Sequence, residues 1–146
     1  EGNYFLTPNP DMTLTVPAAT ENVITFGGYD NVTNAFYPKS GRGFTRENRI
    51  KPDLTAPAVN VYGPGISGGY TRRTGTSVAC ALGAGACAQI LQWGIVENNE
   101  PYMKNNYIKN YLIRGAERNR DIRYPSEQWG YGTINVFDSF LILTRT

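Results

Sequence analysis

Polar and apolar residues alternate from Met12 to Val16 and stop at Pro17, the pattern of a short strand running into a turn. Val23-Ile24-Thr25-Phe26 is rich in β-branched residues and is followed by Gly27-Gly28, which predicts a second strand. Between Asn31 and Ala58, Gly, Pro, Asn and charged residues interrupt every apolar run. Loops and short strands are expected there, not a helix. Val59-Asn60-Val61-Tyr62, bounded by Pro57 and by Gly63-Pro64-Gly65, predicts another brief strand, and a Gly-rich loop leads from it to Thr74.

The pattern then changes. From Ser77 to Trp93 nearly every residue is apolar or small, and only Gln89 and Gln92 are strongly polar, so a helix buried on nearly every side is expected as the core element. Gly83 and Gly85 would each destabilise that helix by about 1 kcal/mol relative to Ala, which predicts a neighbouring backbone packed closely against both. A second helix is read from Asn106 to Ala116, with Ile108, Tyr111, Leu112 and Gly115 on one face, and a third from Val136 to Leu143. No internal repeat or linker interrupts the series.

Composition adds bounds to this picture. With 146 residues, 40% of them hydrophobic and 12% aromatic, the chain can bury one core. Its 16 Gly and 9 Pro lie between apolar runs, as tight turns require, and do not form a low-complexity tail. The net charge of +2, from 14 basic and 12 acidic residues, is too small and too dispersed for a nucleic-acid footprint. Arg72-Arg73 and Arg118 with Arg120 read as solvated faces. On a helix, Cys80 and Cys87 lie about 10 Å apart along the axis, beyond disulfide reach, and are expected to be buried and reduced. Two cysteines and no histidine leave no zinc cluster, and no cofactor is implied. No apolar run reaches the roughly 20 residues of a membrane span. Glu1-Gly2-Asn3 does not begin like a signal peptide and reads as an internal start.

Several motifs are weighed and set aside. Asn31-Val32-Thr33 fits a glycosylation acceptor without any secretory context. Gly83-Ala84-Gly85-Ala86-Cys87-Ala88 matches a dinucleotide fingerprint, but inside a helical run with no strand before it. The loop before Ser77 lacks the lysine of a P-loop. Gly75-Thr76-Ser77, after a Gly-rich approach and before a buried helix, is different. A serine at a helix start lies where unpaired N–H groups and the positive dipole end can stabilise an oxyanion. Thr76 or Ser77 could equally be an N-cap that satisfies those amides. With no histidine in the chain, no Ser-His-Asp triad can form within it.

The sequence resembles the subtilisin-like serine proteases, whose nucleophile opens a buried helix in a Gly-Thr-Ser-x-Ala motif; here that is Gly75-Thr76-Ser77-Val78-Ala79. Lys51-Pro52-Asp53-Leu54-Thr55-Ala56-Pro57 resembles the family's Pro-Asp-x-x-Ala-Pro segment. Trp129-Gly130-Tyr131-Gly132-Thr133-Ile134-Asn135-Val136 resembles its Gly-Tyr-Gly-x-Ile-Asn ending, and Val23 to Asp30 its Val-Ile-x-Val-Gly-Ala strand. Ser40 to Arg46 and Asn110 to Ala116 resemble clostridial subtilases, including those that activate a cortex-lytic enzyme in spore germination.

The resemblance implies that residues 1–146 form the C-terminal portion of one three-layer α/β/α subtilisin-like domain with a mainly parallel sheet. Ser77 then maps onto the nucleophile and its N–H onto an oxyanion donor, while Thr76 maps onto the threonine supporting that hole. The triad aspartate and histidine and the oxyanion asparagine would lie upstream, and Asp53 does not map onto the catalytic aspartate. The implied activity is a serine endopeptidase acting on peptide or protein substrate and inactive as this fragment. It needs a complementary N-terminal part of the domain or exchange with another copy, in a bacterial secreted or spore-associated setting. Cys80-Ala81-Leu82 departs from the family's Pro or Ala followed by His, which keeps open a pseudoprotease that acts by binding.

Overall fold

In the computed structural model, which describes residues 6–144, the sheet is built around Phe26–Asp30 (β1). This strand pairs antiparallel with the short Ala35–Phe36 (β2) and parallel with Leu54–Pro57 (β3), giving the order β2-β1-β3. The backbone at Thr133 prolongs the sheet beyond β3. The Thr55 N–H donates to Gly132 O at 2.9 Å and the Ile134 N–H to Thr55 O at 2.8 Å, a second parallel pairing. Glu117 and Thr133 exchange N–H···O bonds of 2.9 and 3.0 Å in the antiparallel sense.

Alternation along the strands decides what each face meets. Phe26 and Leu54 face the helix Thr76–Leu91 (α1), where Leu54 joins Ala86 and Ile90 in the core. Ala56 and Ala58 pack with Ala79 at the start of the same helix. Gly27 and Thr55 turn the other way, toward the backbone at Gln128, and Tyr29 lies against Trp129 with ring centroids 5.8 Å apart. Asn105–Arg114 (α2) adds Ile108 and Leu112 to the core, and Val136–Leu143 (α3) adds Leu143. α3 is capped by Asn135, whose side chain accepts from the Asp138 N–H at 3.0 Å. A mixed sheet with helices packed on it and parallel central pairings makes the fold α/β.

A buried charge cluster fixes the entry to β3. The Asp53 carboxylate is fully buried and accepts from the Thr25 N–H and from Lys51 Nζ, each at 2.7 Å. Lys109 of α2 pairs with its other oxygen. Lys51, itself buried, also donates to Val23 O at 2.6 Å.

Several expected elements differ in place. Residues Met12 to Val16 form no strand; Thr13 makes one backbone bond, to Arg42 O, and Pro17 opens a turn closed by Thr20. The strand expected at Val23 begins at Phe26, because Thr25 and Val23 spend their backbone groups on the Lys51–Asp53 cluster. The strand expected from Val59 is Val61–Pro64 (β4), and the Gly-rich loop folds back as a fifth strand, Tyr70–Arg73 (β5), antiparallel to it. Leu54–Pro57 falls in the stretch expected to hold loops and short strands, and it is an interior strand whose first three residues are fully buried. The serine helix begins at Thr76, and a π turn, Gln92–Val96, carries it past Trp93. Glu1-Gly2-Asn3 lie outside the described residues.

α1 is not buried on every side. Ala79, Gly83, Ala86 and Ile90 make one buried stripe, while Cys80, Ala81, Ala84, Gly85 and Ala88 are exposed. The expected backbone neighbour is found at neither glycine: at Gly83 the close packing is with a side chain, the Phe26 ring, which a Cβ would overlap, and at Gly85 a Cβ would meet nothing within 4 Å. Both cysteines are free as expected, but Cys80 is exposed and Cys87 half-buried, with burial pushing the Cys87 thiol pKa up. On length alone α1 departs from the expectation that no segment reaches membrane span, a test that the core helix of a soluble protein also passes. With its π turn the helix runs 21 residues at mean hydropathy 1.4, long and apolar enough to cross a membrane by length and composition.

Candidate active site

The site is assembled where β1, β3 and α1 converge. Past the end of β3, Ala58 is locked to the sheet by its N–H donating to Tyr29 O at 2.8 Å. Its carbonyl accepts from the Gly75 N–H, also at 2.8 Å. Gly75 is therefore held to the sheet by its neighbour's backbone. Its φ of 152° and ψ of 158° lie where a side chain is strained, which is why the chain needs glycine immediately before the helix.

Gly75 is the N-cap residue, and no side chain caps the helix. Thr76 and Ser77 occupy its first two positions, so the reading of either as an N-cap is overturned. Capping requires a residue with non-helical backbone just before the first turn, and glycine holds that place. The Val78 N–H closes the turn on Gly75 O at 3.0 Å. The Thr76 and Ser77 N–H groups precede any intrahelical acceptor, and no acidic side chain in the first turn offsets the positive end of the dipole.

The two side chains diverge. The Thr76 methyl points to β1, 3.5 Å from where a Cβ on Gly28 would sit, which anchors the helix start to the sheet. Ser77 is exposed, with its hydroxyl 3.3 Å from where a Cβ on Gly75 would sit. A glycine at 75 thus keeps space open beside the Ser77 oxygen. The result is an accessible hydroxyl next to amide donors with positive potential, able to hold an oxyanion. No imidazole lies beside it, since the chain contains no histidine.

An open groove runs past this hydroxyl between the β4–β5 hairpin and the first turns of α1, walled by Val61, Gly63 and Arg73 on one side and Ser77, Val78 and Leu82 on the other. Sequence reasoning missed this hairpin and left Arg73 among solvated charges. The signal was Gly68-Gly69 between two apolar-aromatic runs: both glycines have positive φ, 85° and 67°, and the Gly65 N–H donates to Gly69 O to close the turn. Among the described residues no cluster of three or more His, Cys, Asp or Glu is placed to hold a metal ion.

Known proteins resemble this chain in sequence and in fold. Residues 1–132 match the model of the subtilase family. The chain is 31% identical over 137 residues to the human membrane-bound transcription factor site-1 protease, covering 90% of this chain and 12% of that protein. It is 28% identical to serine protease AprX of Bacillus subtilis, covering 89% of the chain and 32% of the relative. Among solved structures, the Clostridium perfringens CspB protease superposes with a TM-score of 0.90 at 38% identity, over 96% of this chain and 30% of that one. The patellamide maturation protease PatA gives 0.73 at 26%, over 94% and 48%. The chain thus spans under a third of CspB and about an eighth of the site-1 protease.

Proposed function

The chain belongs to the subtilase family, and from that premise we propose that it is the serine-bearing part of a serine endopeptidase, with Ser77 as nucleophile. The observation that carries this reading is the exposed Ser77 hydroxyl at the second position of a helix whose glycine cap is hydrogen-bonded to the sheet.

The chemistry follows from that placement. A histidine supplied by the upstream part of the domain takes the Ser77 proton as Oγ attacks the substrate carbonyl carbon. The carbonyl oxygen becomes an oxyanion, held by the Ser77 N–H and the helix dipole. The same histidine then protonates the leaving amine, the C–N bond breaks, and water releases the acyl group from Ser77. Thr76, packed on Gly28, keeps the helix start in register with the sheet.

These residues alone carry no histidine, so the isolated chain is expected to be inactive. The exposed small-residue face of α1, from Cys80 through Ala84 to Ala88, is the surface on which the complementary N-terminal part would close. A bacterial secreted or spore-associated setting fits the likeness to the clostridial protease. A second reading, a pseudoprotease that binds without cleaving, is favoured by Cys80-Ala81-Leu82 standing where the family has Pro or Ala and then His. The two separate in one assay: the parent protein cleaves a peptide substrate and Ser77→Ala abolishes cleavage if Ser77 is the nucleophile. Equal turnover by Ser77→Ala would remove the assignment.

A further inference from the structure

A second cavity lies on the sheet face turned away from α1. Strand alternation puts Tyr29 on that face with Gly27 and Thr55. Thr133 is the bridge partner of Thr55, and Glu117 is the bridge partner of Thr133. Cross-strand partners share a face, so Thr133 and Glu117 stand on the same side as Tyr29. There, with Tyr124 and Trp129, they line an open cavity of about 230 Å³. No residue of this cavity belongs to α1, the helix assigned to meet the upstream part, and none lines the groove beside Ser77.

Two properties of the cavity select its ligand. The first is aromatic walls. Tyr29 and Trp129 meet at 51° with ring centroids 5.8 Å apart, so they form a corner and do not stack face to face. Phe36 backs Trp129 edge-on at 6.0 Å, and the Asn119 N–H donates to the Tyr124 hydroxyl at 3.2 Å, which fixes both rings. Such rings attract cations through their quadrupoles. The second property is an unspent carboxylate. Glu117 is the only acidic residue lining the cavity, and among the described residues it takes part in no ion pair. Its bonds to Thr133 are made by its backbone. The neighbouring cation is engaged elsewhere, with the Arg118 guanidinium donating to Ile113 O at 2.6 Å and Ala116 O at 3.4 Å at the end of α2. Burial, and then the Glu117 charge, push the Tyr29 phenol pKa up, so the phenol stays neutral beside the carboxylate.

We infer that this cavity is a binding site for a primary alkylammonium, whose N–H groups donate to Glu117 while Tyr29, Tyr124 and Trp129 enclose the charge and its methylene chain. Sites for drug-sized ligands measure about 300–1,000 Å³, so this smaller volume suits a chain of a few carbons. An accessible carboxylate and a cation–π contact are each worth roughly a factor of five in affinity. The site is separate from Ser77 and does not rest on its reading as nucleophile.

Saturation-transfer NMR titrations of the full-length parent test it with three probes. These are n-butylammonium, its neutral isostere 1-butanol, and N-acetyl-lysine methylamide, which carries the same head on a protein-like stub. The amine should bind at least about fivefold more tightly than the alcohol. Glu117→Gln and Tyr124→Leu should each weaken the amine about fivefold at an unchanged melting temperature. Asp121→Asn, the same charge change at a residue that does not line the cavity, should leave binding as it is. Tighter binding of the lysine compound than of the amine would support the site and identify its occupant as a lysine of a partner protein; the reverse order would support a free small amine. Equal binding of amine and alcohol would overturn the inference, as would no detectable binding of any probe. So would undiminished amine binding in a folded Glu117→Gln parent.

Discussion

Neutralising Asp53 by the isosteric change Asp53→Asn should be the most damaging single substitution outside the Ser77 site. The carboxylate has no solvent exposure and receives two lysines and the Thr25 N–H. With Asn in its place the Lys51 ammonium, 2% exposed, loses its counter-charge and is left with neutral acceptors alone, Val23 O at 2.6 Å and Thr25 Oγ1 at 3.4 Å beside the Asn amide oxygen. Breaking a buried pair by removing one partner destabilises by about 3–5 kcal/mol, because the remaining charge is left uncompensated. Against a typical total of about 5–15 kcal/mol this is a third or more of the stability. Urea unfolding of the full-length parent, followed by Trp93 and Trp129 fluorescence, reads it directly. The double variant Lys51→Met with Asp53→Asn should recover part of the loss by removing the stranded charge as well. A loss below about 1 kcal/mol in Asp53→Asn would show that the cluster does not anchor β3 and would refute the reasoning.

Gly83→Val should destabilise the parent by roughly 1–3 kcal/mol through overpacking against Phe26, whose ring a Cβ would already overlap, and thermal unfolding measures it. Gly75→Ala should lower kcat/KM far more than it lowers melting temperature, because the strained backbone it forces, at φ 152°, sits directly before Thr76 and Ser77. Cys80, exposed here but on the face assigned to the upstream part, should resist iodoacetamide in the folded parent and react once urea unfolds it. Tyr29 has a raised pKa, first from burial and then from the Glu117 charge, so Glu117→Gln should lower it in part and leave it above the free value. Because the fold favours the neutral phenol, this contribution to stability is complete below the unfolded tyrosine pKa near 10. It disappears as pH rises through the higher folded value, which a pH series of urea midpoints would detect.

What was legible in the sequence followed from strong local patterns. Val136 to Leu143 is apolar apart from Asp138 and Ser139, begins after a capping Asn and appears with the expected bounds; Ser77 to Trp93 is unbroken and forms the long helix. The fold class and family followed from ordered motifs. Less legible was anything set by long-range partners. Leu54–Pro57 is only four residues between prolines, and nothing local marks it as the centre of a sheet that pairs with Phe26–Asp30 and Thr133. Met12 to Val16 alternates like a strand but finds no neighbouring strand to complete a ladder. Composition made α1 look buried throughout, although small residues serve a packed face and a face awaiting a partner equally well. At the site, the N-cap reading failed because propensity favours Thr and Ser while geometry put glycine there.

The central claim is that Ser77 is a nucleophile completed by the upstream part of its domain. Mass spectrometry of the full-length parent after treatment with a fluorophosphonate tests it most directly. The account predicts one covalent phosphonyl adduct on the peptide containing Ser77, lost in Ser77→Ala and absent when residues 1–146 are treated alone. An unmodified Ser77 in a folded parent that still cleaves peptide would contradict it.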